Sequence, residues 1–248
     1  MNEQLSNGQT QVAITQPEVI FRRSMASDDD VIEAMLVSTM GDEIKQLWDT
    51  EGIEGIDGRI RFLMKNRHGT PFEQNYFQFY VKAPIAVFRE HHRHRIGWSY
   101  NEESGRYKVM KPEFYIPPER RPLVQTGRPG HYIMSPGTVE QYRNLVAELM
   151  TGFQDAYDRY VRLLDDGVAK EVARGVLPVY LMTSMFASCN ARSMMAFLSL
   201  RTDEPESKFP SKPMWEIDQL VARVYEQALA ATMPITYQAF CDFGRVCP

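Results

Sequence analysis

From Glu90 to Arg106 the chain reads EHHRHRIGWSYNEESGR, which holds three of its five histidines, His91, His92 and His94. Arg93, Arg95 and Arg106 lie beside them, with Glu102, Glu103 and the hydroxyls of Ser99, Ser104 and Tyr107. Guanidinium forks take phosphate or carboxylate at two points, and hydroxyl and amide donors nearby would suit a phosphate monoester carrying a planar, hydrogen-bonding ring. Other readings are open on spacing alone. The cations could simply complete a helix dipole and pair with Glu102 and Glu103. His91 and His94, three apart on a helix, could share a metal with His68 or Glu73, although the flanking arginines oppose a dication. Arg93, Arg95, Arg106 and Lys108 could form a polyanion-binding face, but the chain lacks an RNP or KH pattern.

The bulk composition limits the partners further. With 248 residues, 44% of them hydrophobic, the chain can build a sizeable core, and its net charge of -4 argues against a general nucleic-acid binder. Cys189, Cys241 and Cys247 are odd in number and lack metal-ligand spacing, so a reduced cytoplasmic setting is expected and no resident metal. No apolar run reaches the length of a membrane span.

These residues must be positioned by an α+β fold. Residues 1–17 are polar and without period and read as a flexible leader, leaving 18–248 as a single domain. Asp28–Asp30 precede a helical apolar pattern and read as a cap, and a second helix is expected over Ile56–Lys65. NYFQFYVKA alternates as a strand, and Pro84 should open a helix that carries Arg93–Arg95 in its last turn and ends at Gly97, with a loop beyond. KPEFYIP is a short strand, and Pro117–Pro136 reads as a long connection. Helices are expected over Val139–Leu164, over AKEVARGVL, after the capping Asn190, and near Trp215–Ala231 and Ile235–Phe243, with YLMTSMFAS as a buried strand.

RHRIGWSYNEESGRY resembles the signature of the flavin-dependent thymidylate synthases, an RHR followed by seven residues and a serine. Here eight residues separate Arg95 from Ser104, the extra one lying in the Ile96 to Trp98 turn. HGTPFEQ (His68 to Gln74) with FQFYVKAPI, EVARGVLP (Glu171 to Pro178) and NARSMMAFLSLR (Asn190 to Arg201) resemble further segments of that family in the same order. The resemblance implies a thymidylate-synthase-complementing-protein-like fold, a mainly antiparallel sheet flanked by helices, assembled as a homotetramer with active sites shared between chains.

It also implies conversion of dUMP to dTMP with methylenetetrahydrofolate as carbon donor and NADPH as reductant through bound FAD, with no covalent protein nucleophile. By the same resemblance, Thr70, Arg93, His94, Arg95, Glu102, Asn190, Ala191, Arg192 and Ala196 match flavin-contacting positions. Glu90, His91, His92, Arg93, Glu102, Glu103, Ser104, Gly105, Arg106, Arg174 and Arg201 match dUMP-contacting ones. Arg201 is the implied catalytic residue, stabilising the ionised uracil N3. Ala196 stands where relatives often carry an amide, Glu90 where a glutamine is common, and TDEPESKFPSKPM after Arg201 replaces a shorter link. Asn190 and Arg201, eleven residues apart, fall on nearly one helix face at roughly 100° per residue, with Arg192 and Ala196 about 200° round. Cys189 ends an apolar strand and reads as a buried structural thiol.

Overall fold

The computed structural model describes residues 10–47, 54–128 and 131–248. The chain forms an α+β fold with an antiparallel sheet flanked by helices. Two compact units interleave along the sequence. The first takes the described part of Met1–Pro17 with Lys82–Phe88 and Glu102–Ser184; the second takes Glu18–Val81, Arg89–Asn101 and Met185–Pro248.

In the first unit, β1 (Ala13–Ile14) pairs in parallel with β5 (Glu113–Phe114), Ile14 opposite Phe114. Residues 10–17 of the expected leader are thus held in place, with Val12 buried and its amide bonded to Gln154 Oε1 at 3.2 Å. Residues 1–9 lie outside the described residues. The core forms on α4 (Val139–Asp165), whose Thr138 and Gln141 make a reciprocal capping box. Its Phe153 stacks on Phe114 at 4.7 Å, with Tyr157 and Tyr160 buried beside them. Burying an aromatic side chain of this kind is worth about 1.5–3 kcal/mol. α5 (Lys170–Ala173) and a 3-10 turn over Arg174–Val176 follow α4. The expected connection Pro117–Pro136 instead contains a hairpin, β6 (Val124–Arg128) against β7 (His131–Ser135); residues 129–130 are not described.

In the second unit, α1 (Asp28–Met40) is capped by Ser27, whose Oγ accepts from Asp30 N at 3.1 Å, while the aspartates fill the first turn. Asp28 does more than face the dipole: it is buried and accepts from Ile235 N, Thr236 N and Thr236 Oγ1, closing the start of α8 (Pro234–Asp242). α2 (Ile56–Lys65) buries Ile60, Leu63 and Met64 but leaves Phe62 exposed. Most residues of the four-stranded sheet belong to this unit; its order is β2-β3-β8-β4, with β2 (Glu18–Met25), β3 (Tyr76–Pro84), β8 (Met182–Cys189) and β4 (Trp98–Glu102). Phe77, Phe79 and Val81 are fully buried on alternate positions of β3, the period-two signature of a strand. α6 (Ala191–Arg201) begins at Asn190, whose Oδ1 accepts from Ser193 N at 2.8 Å. A π-helical segment over Ile217–Ala222 leads into α7 (Arg223–Thr232).

Two boundaries around the charged stretch differ from expectation. Pro84 is the last residue of β3, and α3 spans only Ile85–His91, so Arg93–Arg95 lie in a turn beyond the helix. The expected loop after Gly97 is strand β4 through Glu102.

Candidate active site

The turn from His92 to Gly97 is fixed from below by aromatic residues. Gly97 has φ +67°, and a Cβ there would overlap the Ser193 hydroxyl, so at this close approach to the start of α6 any side chain would have to push Ser193 aside. Trp98 follows it, stacked with Tyr100 and Tyr225, and its indole N–H donates to Ser193 O at 3.3 Å.

His91 is fully buried, with Nε2 2.9 Å from Tyr225 Oη and Nδ1 3.3 Å from Tyr100 Oη. Tyr100 has one proton and donates it to His94 O at 2.6 Å. His91 Nδ1–H must then donate to Tyr100, and Tyr225 must donate to His91 Nε2. Burial pushes the His91 pKa well down, in keeping with this neutral ring. Its ring is thus held inside the protein by two tyrosine hydroxyls. Both its nitrogens face hydroxyls, and no metal-ligand cluster forms among the described residues. His92 packs its ring 4.8 Å from Tyr100.

Arg201, at the end of α6, ties the turn to the last part of α3. Its Nε donates to His94 Nε2 at 2.9 Å, and its Nη1 lies 2.8 Å from Glu90 Oε2. Its side chain is only 11% exposed. Burial, and then the Arg201 and Arg93 charges, lower the His94 pKa to about 4, so the ring is neutral at pH 7. Because a guanidinium only donates, His94 Nε2 carries the lone pair and Nδ1 the proton. Burial also lowers the Arg201 pKa, opposed by Glu90. Arg93 reaches Glu90 only at 3.4 Å and is largely exposed; Arg95 is exposed and makes no ion pair among the described residues.

The opposite face of α6 holds a second group. Arg192 pairs with Glu73, and its guanidinium packs where a Cβ on Gly69 would stand, next to the exposed Thr70. Ala191 N donates to Asn75 Oδ1 at 2.7 Å, and Ala196 is half-buried. Arg192 and Arg201 thus face different partners, as the helical spacing requires. Cys189 is buried and its thiol pKa pushed well up by that burial, which leaves it a poor nucleophile.

In the first unit, Glu102–Arg106 and Arg174 converge. Arg106 Nε donates to Glu171 Oε2 at 2.7 Å, and the exposed Arg174 is steadied by Nε to Glu171 O at 3.3 Å. Gly105 lets this approach happen: a Cβ there would stand 3.0 Å from Arg174 Cδ and 3.1 Å from Met110 Sδ. Ser104 Oγ accepts from Arg106 N, Glu103 pairs with Lys108 at 2.7 Å, and Glu102 Oε1 accepts from Thr183 Oγ1 at 3.1 Å. Sequence reading missed Tyr100, Tyr225 and Glu171 as supports. Tyr100 sits in the motif itself, whereas Tyr225 has no local signal, being 134 residues from His91.

Comparison with known proteins bears on these clusters. Residues 20–235 match the family model described as thymidylate synthase complementing protein. The flavin-dependent thymidylate synthase of Streptomyces avermitilis is 50% identical over 227 residues, covering 90% of both chains. That of Streptomyces coelicolor is 49% identical over 230 residues, 91% of each. Among solved structures, a UMP/dUMP methylase from Streptomyces cacaoi bound with 5-Br dUMP superposes with a TM-score of 0.88 at 42% identity, covering 96% of this chain and 100% of that one. Its complex with 5-Br UMP gives a TM-score of 0.86. The ordered motif blocks, the Arg201–His94–Glu90 cluster they build and matches of this length together place the chain in the flavin-dependent thymidylate synthase family.

Proposed function

We propose that this chain makes dTMP from dUMP in the cytoplasm, with methylenetetrahydrofolate and NADPH as co-substrates, and that residues 18–248 act as one functional domain in a homotetramer with active sites shared between chains. The observation that carries the reading is Arg201: a nearly buried guanidinium aimed by Glu90 and a neutral His94. Uracil N3 is weakly acidic, and a fixed cation shielded from water favours its anion, which makes the ring electron-rich toward an electrophilic carbon. A guanidinium keeps its proton at neutral pH even when burial lowers its pKa, which suits it better than lysine for this role. Arg106 and Arg174, brought together where Gly105 leaves room for the Arg174 side chain, offer charged donors for the nucleotide phosphate. Cys189 is buried and supports no covalent route through a protein thiol.

The residues matching flavin contacts fit a dianionic diphosphate cofactor. Arg95 and Arg93 are exposed cations on a turn, and Arg192 and Thr70 lie at the other face of α6. When bound, FAD supplies the hydride carrier that no side chain provides. Arg93, His94, Arg95, Asn190 and Arg192 would hold and orient it, while Glu102, bonded by Thr183, would offer a fixed acceptor.

The test is direct. Purified protein should bind FAD, show a flavin spectrum perturbed by dUMP, and form dTMP from dUMP, methylenetetrahydrofolate and NADPH. A protein that binds no FAD and oxidises no NADPH overturns the reading. The structural likeness to a UMP/dUMP methylase makes UMP the competing substrate, so parallel assays with UMP decide between ribose and deoxyribose. Sedimentation of the holoenzyme checks the tetramer.

A further inference from the structure

The segment Gly244–Pro248 touches both ends of α6. At the C-terminal end, Arg245 Nη2 donates to Thr202 Oγ1 at 3.1 Å, and Thr202 Oγ1 donates to Leu198 O at 2.6 Å. Thr202 is the residue after Arg201 and caps α6 with extended backbone. The other arm of the Arg245 fork, Nη1, meets Glu226 Oε1 at 2.6 Å. At the N-terminal end, Arg192 Nε donates to Pro248 O at 2.8 Å, Cys247 Sγ lies 3.3 Å from Arg192 O, and Arg67 Nη2 donates to Cys247 O at 3.0 Å.

Two features argue that the fork does more than fill space. Arg245 has φ +57°, a left-handed conformation that side chains with a Cβ rarely adopt, and Arg245, Glu226 and Thr202 are each less than a tenth exposed. Strained backbone persists where surrounding contacts over-determine it, and here the contact held is the cap beside Arg201. Helix ends fray, so a guanidinium on the last helical residue needs its cap fixed from outside if its aim is to be held.

We propose that Gly244–Pro248 is a positioning clamp for α6, with Arg245 holding the cap that aims Arg201 at the substrate and Cys247 and Pro248 steadying Arg192. Arg245 touches neither nucleotide nor flavin in this scheme; it acts through Thr202. The inference rests on the substrate role proposed above for Arg201.

Arg245→Lys separates positioning from folding. A lysine keeps a cation for the buried Glu226 but has no fork to bridge Glu226 and Thr202. Thr202→Val removes the hydroxyl from the other side while keeping shape and the Arg245–Glu226 pair. Each variant strands a buried polar group, so the melting midpoint should fall by a few degrees only; with both holoenzymes still fully folded at the assay temperature, kcat should fall about tenfold and the KM for dUMP change far less, because the lost alignment is felt at the reacting geometry. Turnover within about twofold of the parent in both variants, with Arg201→Ala inactive, overturns the clamp and leaves the role of Arg201 standing. A fall in melting midpoint that accounts for the lost activity also overturns it. Near-parent turnover in Arg201→Ala instead removes the role on which the clamp rests.

Discussion

Arg201 Nε donates to His94 Nε2 at 2.9 Å, and that one bond fixes both the tautomer of the histidine and the direction of the guanidinium. Protonating His94 would abolish the acceptor and set two cations against each other. The pKa of about 4 expresses that conflict, together with burial, which is its largest cause.

A pH dependence of stability follows. The folded His94 pKa lies below the ordinary value of 6.5, so between pH 6.5 and about 4 the unfolded chain binds more protons than the folded one. Stability is therefore intact above pH 6.5 and declines as pH falls through that window, by an amount on the order of 2 kcal/mol from His94 after discounting its part exposure. The buried His91 acts in the same direction. Urea unfolding at pH 7, 5.5 and 4.5 should show the loss, and His94→Gln, which can still accept from Arg201, should flatten the slope.

Gly97→Ala should destabilise the turn that carries the motif. A methyl group there both occupies the left-handed region and meets the Ser193 hydroxyl, with an expected cost of about 1–3 kcal/mol. Chemical denaturation measures it; unchanged stability would show that the turn can rearrange away from α6.

Asp28→Ala should be more costly than its place at a helix start suggests. It strands two amides and a hydroxyl at the start of α8, a loss of about 2–4 kcal/mol. Asp28→Asn, which keeps one oxygen as an acceptor for Thr236 but sets its NH2 against the Ile235 N–H, should lose less than Asp28→Ala. Equal losses in the two variants would assign the effect to charge instead.

Arg174→Ala should weaken dUMP binding by about 10–100-fold, with flavin content and melting midpoint unchanged, because Arg174 is exposed and its Nε bonds only to a backbone carbonyl. Titration of the flavin spectrum with dUMP reads this directly. An unaltered midpoint of that titration would remove Arg174 from the nucleotide site.

Much of the fold was legible because period and capping agree with tertiary demand. Ile56–Lys65, the Asn190 cap and the buried β8 follow from local pattern. The end of α3 was not, since charge density looks alike in a helix end and in a turn, and the carbonyl of His94 beyond the helix is taken by the Tyr100 hydroxyl, a partner that local pattern does not reveal. The β6–β7 hairpin was hidden by its proline, glycine and arginine content, although Tyr132, Ile133 and Met134 favour a strand. The two interleaved units left no boundary because each is assembled from three separate stretches. His91 shows the limit most clearly: its burial depends on Tyr225, which no spacing rule ties to it.

The measurement that bears most directly on the site is dTMP formation by Arg201→Ala in the flavin-loaded protein. Turnover should fall by at least about 10²–10³-fold, with the flavin, the melting midpoint and the oligomer retained. Near-parent turnover would contradict the role of Arg201 and, with it, the reading of the Arg201–His94–Glu90 cluster as the place where the uracil ring is activated.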